Sequence, residues 1–264
     1  MGETWRLIDS GRCGAAFNMA LDEAIATLVR RDGLSPVLRL YGWDRPSLSL
    51  GCFQKASEVD AGYCRSRGIP IVRRPTGGRA VLHDEELTYS FAATTGSGPF
   101  SQGLLDSYRK VAAAFHLAFQ KLGVRAEAKD RREKGRVLAG SPLCFQSSSY
   151  GEILIEDKKV VGSAQKRWED GMLQQGSVPY VFREDEIRRI FGAGRYTALK
   201  ECTIGLREAL PGIGEERLRE TIVSSFGEVF GIRFLQDRPS PEELSLARGL
   251  EEEKYLQDHW NFRR

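Results

Sequence analysis

Apolar residues recur at spacings of three and four through Phe17, Ala20, Leu21, Ala24, Ile25 and Leu28, the period of one helix face, and Gly33 supplies a stop. A second stripe, Leu104, Tyr108, Val111, Phe115, Ala118, Phe119 and Leu122, predicts a long helix ended by Gly123. Glu184 to Phe191, Glu215 to Phe230 and Pro241 to Lys254 also read as helices, and Ser57 to Arg67 as a shorter one ending at Gly68. Between them lie short apolar or alternating runs that predict strands: Trp5 to Asp9, Val37 to Tyr41, Ser47 to Leu50, Ile69 to Val72, Ala80 to Leu82 and Leu87 to Phe91. Val124 to Ala128 reads as an edge strand. Glu152 to Ile155, a run from Lys159, Leu173 to Pro179 and Ile232 to Leu235 complete the set. Strands arrive mainly as hairpins, with long helices between groups of them. That order predicts an α+β fold with a mixed, largely antiparallel sheet flanked by helices, not a doubly wound parallel one. With no internal repeat and no long linker, a single domain over 1–264 is expected, with a helical C-terminal appendage from about 205.

The most informative stretch runs from Arg73 to Phe91, RRPTGGRAVLHDEELTYSF. Pro75 presets one backbone angle and Gly77-Gly78 opens conformations closed to other residues. The expected order is strand, glycine turn, strand, an acidic turn at Asp84-Glu85-Glu86, and strand. Paired glycines let ligand atoms approach bare N–H groups, with Arg73, Arg74, Arg79 and His83 close in sequence: a cradle for a carbonyl or phosphate oxygen. An ordinary hairpin with surface arginines fits the same pattern, and from the residues alone both readings stand.

The second informative stretch is Gly140 to Gln175. Ser141-Pro142-Leu143-Cys144-Phe145 presents a cysteine on a loop, and a loop thiol becomes a nucleophile when a nearby cation lowers its pKa from about 8.5. A lone cysteine is more often a small buried hydrophobe, so Cys144 is the leading candidate and no more; Cys13 is a weaker one. Lys159 is its natural partner, opening a strand with small Gly162-Ser163-Ala164 behind it that leave room for a ligand. A solvated turn lysine fits that spacing too. The run Asp130 to Arg136 reads as a solvated loop.

Composition narrows the function classes. Lys and Arg number 39 against 36 Asp and Glu, a net charge of +3 that does not announce nucleic acid and suits an acidic protein partner. Met1-Gly2-Glu3-Thr4 lacks the basic start of a signal peptide, and no 18-residue apolar run offers a membrane span, so a cytoplasmic setting is expected. Five scattered cysteines without a C-x-x-C pair and three dispersed histidines suggest neither disulfides nor a metal site. No Walker motif appears, and no G-x-G-x-x-G leads from a strand into a helix.

Taken together, RRPTGGRAVLHDEELTYS, PLCF, KKVVGSAQKR and LQQGSV resemble the lipoate/biotin protein ligase and octanoyltransferase superfamily, over a span from Phe17-Asn18-Met19-Ala20-Leu21-Asp22 to about Val178. The closest resemblance is to the cysteine-dependent octanoyltransferases that charge the glycine cleavage H protein. The resemblance implies a class II biotin/lipoyl synthetase-like fold and a two-step transfer without cofactor or metal. An octanoyl group would pass from octanoyl-acyl carrier protein to Cys144, and then to the target lysine of the H protein or another lipoyl domain. Lys159 would match the superfamily lysine, and Gly77 and Gly78 the oxyanion donors. Arg74, Thr76, His83, Gly162 and Ser163 would contact substrate, with Trp43, Gly51, Gly176 and Ser177 as acyl-tunnel walls. An ATP-dependent lipoate ligase shares the fold, but Cys144 and Arg79, which stands where ligases commonly carry a third glycine, count against it. A lipoyl-domain amidotransferase and a non-catalytic lipoyl-domain binder are the remaining alternatives.

Overall fold

The computed structural model describes residues 2–128, 152–192 and 199–264. Among these, the chain runs β1 (Thr4–Cys13), α1 (Ala15–Asp32), β2 (Val37–Trp43), β3 (Ser47–Leu50), α2 (Ala61–Ser66), β4 (Ile71–Arg73), β5 (Val81–His83), β6 (Glu86–Thr94) and α3 (Leu104–Lys121). It continues with β7 (Ala126–Ala128), β8 (Ile153–Ile155), β9 (Lys158–Arg167), β10 (Gly171–Pro179) and α4 (Glu184–Phe191). Next come α5 (Leu199–Cys202), α6 (Leu206–Ala209), α7 (Glu215–Phe230), β11 (Arg233–Asp237), α8 (Pro241–Leu250) and α9 (Asp258–Asn261).

A large sheet has the order β11-β1-β2-β6-β10-β9-β8-β7. Its β1–β11 and β1–β2 pairs are parallel and the rest antiparallel, the mixed sheet that the strand order predicts. Strand alternation sorts β6 into two faces. Leu87, Tyr89, Phe91 and Ala93 join Phe115 and Phe119 of α3 and Phe226 of α7 in one core. Glu86, Thr88, Ser90 and Ala92 face the other way, and Ala92 joins the α1 core with Val37, Tyr41, Trp43 and Leu173. α8 packs on the outside of α1. Gly33 takes φ 62° at the end of α1, the left-handed stop that Gly supplies without Cβ strain.

A second sheet has the order β4-β3-β5, and it corrects one expectation. The glycine turn does not join a hairpin, because β4 and β5 both pair with β3, in parallel and antiparallel sense, on opposite sides. The chain therefore crosses over the end of β3 at Gly77-Gly78. There a Cβ on Gly51 would stand 1.9 Å from the Gly78 carbonyl oxygen, so only glycine fits. Between β8 and β9, Glu156 and Asp157 both have positive φ (51° and 60°), the form of a tight two-residue hairpin turn.

Candidate active site

Where the small sheet lies across the α1-side face of the large one, a slot opens. It encloses about 360 Å³ of empty space, solvent at its mouth included. Trp43, Arg74, His83, Gly162, Ser163, Gly176 and Ser177 line it, and so do Met19, Tyr41, Ser49, Val81, Thr88, Ala164 and Gln175. Seven of the sequence candidates thus come together from four strands and the turn after β4. Gly176 lies over the Tyr89 ring, which a Cβ there would meet at 2.2 Å, so the wall is thin because its residues are small.

His83 anchors one end of the slot. It stacks on Trp43 with centroids 4.0 Å apart and planes 14° from parallel. Its Nδ1 lies 2.7 Å from Glu86 Oε1, and its Nε2 lies 2.7 Å from Ser49 Oγ. A carboxylate can only accept, which places a proton on Nδ1, while Nε2 meets the Ser49 hydroxyl, a group able to donate or accept. Ser49 Oγ in turn accepts from Arg74 Nη1 at 3.1 Å. Glu86 also accepts from Thr88 and, at 2.7 Å, from Ser177, while Trp43 Nε1 donates to Thr88 Oγ1 at 2.8 Å. The imidazole is fixed in orientation by groups from four strands.

Arg74 shapes the glycine turn. Its Nη2 donates to the carbonyls of Gly77 (2.7 Å) and Arg79 (2.6 Å), and its Nη1 also to the Ser49 carbonyl (3.1 Å). Gly78 has φ 82°, and a Cβ on it would lie 3.0 Å from Arg74 Nη2 and 3.6 Å from the Ala164 methyl in the slot wall. Gly51, Gly77 and Gly78 therefore form the rim rather than the lining. Thr76 also stands behind the wall, donating to Gln175 Oε1 at 2.8 Å.

Behind the slot lies a buried polar network. Asp22 accepts from Arg39 Nη1 (2.7 Å), Tyr41 OH (2.8 Å), Ser90 Oγ (2.6 Å) and Gln175 Nε2 (2.7 Å). Arg39 Nη2 donates to Asn18 Oδ1 at 2.7 Å, so both charges have full partners, the condition under which burial is tolerated. Burial, together with the Asp22 charge, pushes the Tyr41 phenol well above its ordinary range. Burial likewise takes Tyr89 up to about 12, against hydrogen bonds to Ser163 and Gln174. Both phenols stay neutral near pH 7. The sequence reading passed over Asp22, Gln175 and Glu86. A signal for the first existed in Asn18 and Asp22, polar residues four apart on a helix face otherwise apolar.

Lys159 stands apart from the slot. It is almost fully buried near the start of β9, about 10 Å along the strand from Gly162. Its Nζ is 2.5 Å from Glu152 Oε1, itself buried, and its carbonyl accepts from Ile204 N at 3.1 Å. Cys144 lies outside the described residues, as do the rest of the PLCF loop and the Asp130–Arg136 run. Among the described residues, no group of three or more His, Cys, Asp or Glu is arranged to hold a metal ion, and no helix is long and apolar enough to cross a membrane.

Two interlocked sheets, a glycine turn closing over an apolar slot and a buried lysine on the adjoining strand define a class. Residues 14–227 match the family described as lipoyl protein ligase A/B catalytic domain, and the chain belongs to it. More particularly, it is 38% identical over 282 residues to the octanoyltransferase LipM of Kyrpidia tusciae, covering 99% of this chain and 100% of that protein. It is 34% identical to the octanoyltransferase LipM of Bacillus subtilis, covering 99% of each. The bipartite lipoate protein ligase of Thermoplasma acidophilum shares the fold, with a TM-score of 0.81 and 24% identity over 98% of this chain and 96% of that one.

Proposed function

We propose that the protein is an octanoyltransferase of protein lipoylation, moving an octanoyl group from acyl carrier protein through a Cys144 thioester to the target lysine of a lipoyl domain, the glycine cleavage H protein foremost. The observation that carries this reading is the slot itself, thin-walled at Gly162, Ala164 and Gly176 and apolar enough for an extended chain, in a member of the lipoyl ligase family. Burying methylenes there, at about 0.8 kcal/mol each, favours octanoyl over acetyl by several kcal/mol.

In the first half-reaction the Cys144 thiolate attacks the carrier thioester carbonyl. A carbon–sulfur bond forms to Cys144, the bond to the carrier's pantetheine sulfur breaks, and that thiolate leaves and takes up a proton. In the second, the acceptor lysine amine attacks the acyl-cysteine, loses its proton, and expels the Cys144 thiolate as the amide forms. Thioester exchange is nearly thermoneutral and amide formation runs downhill, so no nucleotide is consumed. Lys159 is assigned, as an ammonium, to favour the thiolate and, as a neutral amine, to take the acceptor amine's proton, and Glu152 lies 2.5 Å from its Nζ. Gly77 and Gly78 are assigned to the oxyanion, and Arg74 to the shape of their turn; losing one oxyanion donor costs about 3 kcal/mol of barrier.

The test is incubation with octanoyl-acyl carrier protein and no nucleotide, followed by peptide mass spectrometry. An octanoyl adduct on Cys144 that is chased onto the H-protein lysine is expected, and Cys144→Ala forms none. Modification of the acceptor only when ATP is present, or unchanged transfer by Cys144→Ala, would falsify the mechanism.

A further inference from the structure

A band of cations interleaved with aromatic rings lies beside the glycine turn, and the chemistry within the slot makes no use of it. On β9, Gly162 and Ala164 line the slot, and Lys166 follows two residues later on the same face. Lys166 Nζ sits 4.5 Å from the Trp168 ring centre, and Arg30 covers that ring at 4.0 Å. The C-terminal segment supplies a second unit: Trp260 lies between Lys254 at 4.1 Å and Arg263 at 3.9 Å. The two units adjoin along α1, which carries both Arg30 and the Glu23 carboxylate that accepts from Lys254 Nζ at 2.8 and 2.6 Å. Burial lowers the Lys166 pKa, with Glu23 acting against it and Lys254 and Arg30 with it.

The band reaches the rim of the slot. Arg263 Nη2 donates to the Cys52 carbonyl at 2.9 Å and lies 3.0 Å from its sulfur, one residue from Gly51. Phe53, next in the chain, is 69% exposed, and the Arg264 guanidinium lies 5.5 Å from its ring centre. A bare phenylalanine flanked by arginines at the edge of a pocket is the composition of an interface centre rather than of idle surface. Glu23 is already engaged by Lys254 and Tyr255 and Asp170 by Arg30, while Glu169, Glu252 and Glu253 are exposed in the neighbouring chain. Glu251 turns to the far side of its segment, into the cavity beside β4.

We propose that the face formed by Phe53, Lys166, Trp260, Arg263 and Arg264 docks the acidic surface of the acyl carrier domain and delivers its thioester into the adjoining slot. The proposal rests on the donor assigned under the proposed function. Charge complementarity of this kind acts mainly on encounter, so it is visible in the carrier's KM and in salt dependence rather than in the chemical step.

The experiment compares wild type with Lys166→Glu/Arg264→Glu in octanoyl transfer from octanoyl-acyl carrier protein to H protein, across carrier concentration and ionic strength. The KM for the carrier is expected to rise roughly tenfold, with kcat at saturating carrier within about twofold of wild type. The salt-induced rise in KM seen with wild type should be largely absent from the variant. Phe53→Ala, which alters no charge, should raise the carrier KM with the salt dependence intact. Unchanged carrier KM and salt response in both variants overturn the docking face while leaving the donor assignment standing. A wild-type enzyme that takes no octanoyl from the carrier protein overturns both.

Discussion

Arg73 and Arg74 are neighbours in the chain, yet they hold two different regions together. Arg74 faces the slot and braces the glycine turn through the carbonyls of Ser49, Gly77 and Arg79. Arg73, fully buried, faces the opposite way and ties the loop after β3 to the C-terminal segment. It donates to the carbonyls of Gly51 (2.8 Å) and Gln54 (2.6 Å) on one side and of Trp260 (3.2 Å) and Asn261 (2.9 Å) on the other. The tail reciprocates: Asn261 Oδ1 accepts from Arg73 N and Trp260 Nε1 donates to Arg73 O, each at 2.8 Å. Burial, with the charges of Arg263, Arg264 and Arg74, lowers the Arg73 pKa. One arginine shapes a site, and the other closes the fold behind it.

The largest effect should separate the pair. Arg73→Met leaves those buried carbonyls without their donor and is expected to cost about 3–5 kcal/mol, read from urea unfolding. Arg74→Met should cost less stability but lower kcat for octanoyl transfer roughly a hundredfold, because the turn loses its brace. Equal stability losses with equal activity losses would erase the distinction. Next comes Gly51→Ala, whose methyl would drive into the Gly78 carbonyl; the turn must move, so activity should fall well before the unfolding midpoint does. Asn261→Ala removes two hydrogen bonds that seat the C-terminal segment, the first from Arg73 N and the second from its own Nδ2 to the Tyr255 carbonyl at 2.8 Å, and should cost about 1–2 kcal/mol.

That division between two adjacent residues was not legible in the sequence, where RRPTGG reads as one cationic cradle. Strand alternation says that Arg73 and Arg74 point apart, but not what waits on either side. The partner of Arg73 lies 188 residues away. The same non-locality hid the pairing of β4 and β5: a glycine turn between two short strands reads as a hairpin unless the strand between them is known. The helices were legible because their periodicity is local, as the α1 and α3 stripes show. So was the gathering of small residues, since Gly162 and Gly176 announce space whichever strand carries them. The network on Asp22 was half-legible, visible as polar breaks in the α1 stripe but silent about Gln175.

A third arginine sharpens the contrast at its smallest scale. Arg6, on β1, bonds carboxylates where Arg73 bonds carbonyls: its Nε is 2.6 Å from Asp237 and its Nη1 is 2.7 Å from Glu243. The Arg6 guanidinium, with help from the Arg238 amide, holds the Asp237 carboxyl below its ordinary value of 3.8. A depressed carboxyl stabilises the fold at pH values above its unfolded pKa, and that contribution fades as pH falls through the lower, folded value. Asp237 is 40% exposed at its side chain, so solvent screening holds the effect to a few tenths of a kcal/mol. Asp237→Asn should therefore lower the urea midpoint slightly at pH 7, with the gap to wild type closing as pH drops below about 3.8. The Asn261→Ala deficit has no titrating partner and should hold constant over the same interval. If it too closed with acid, the carbonyl clamp on Arg73 would have to include a carboxylate, and the difference drawn between the two ends of the molecule would fail.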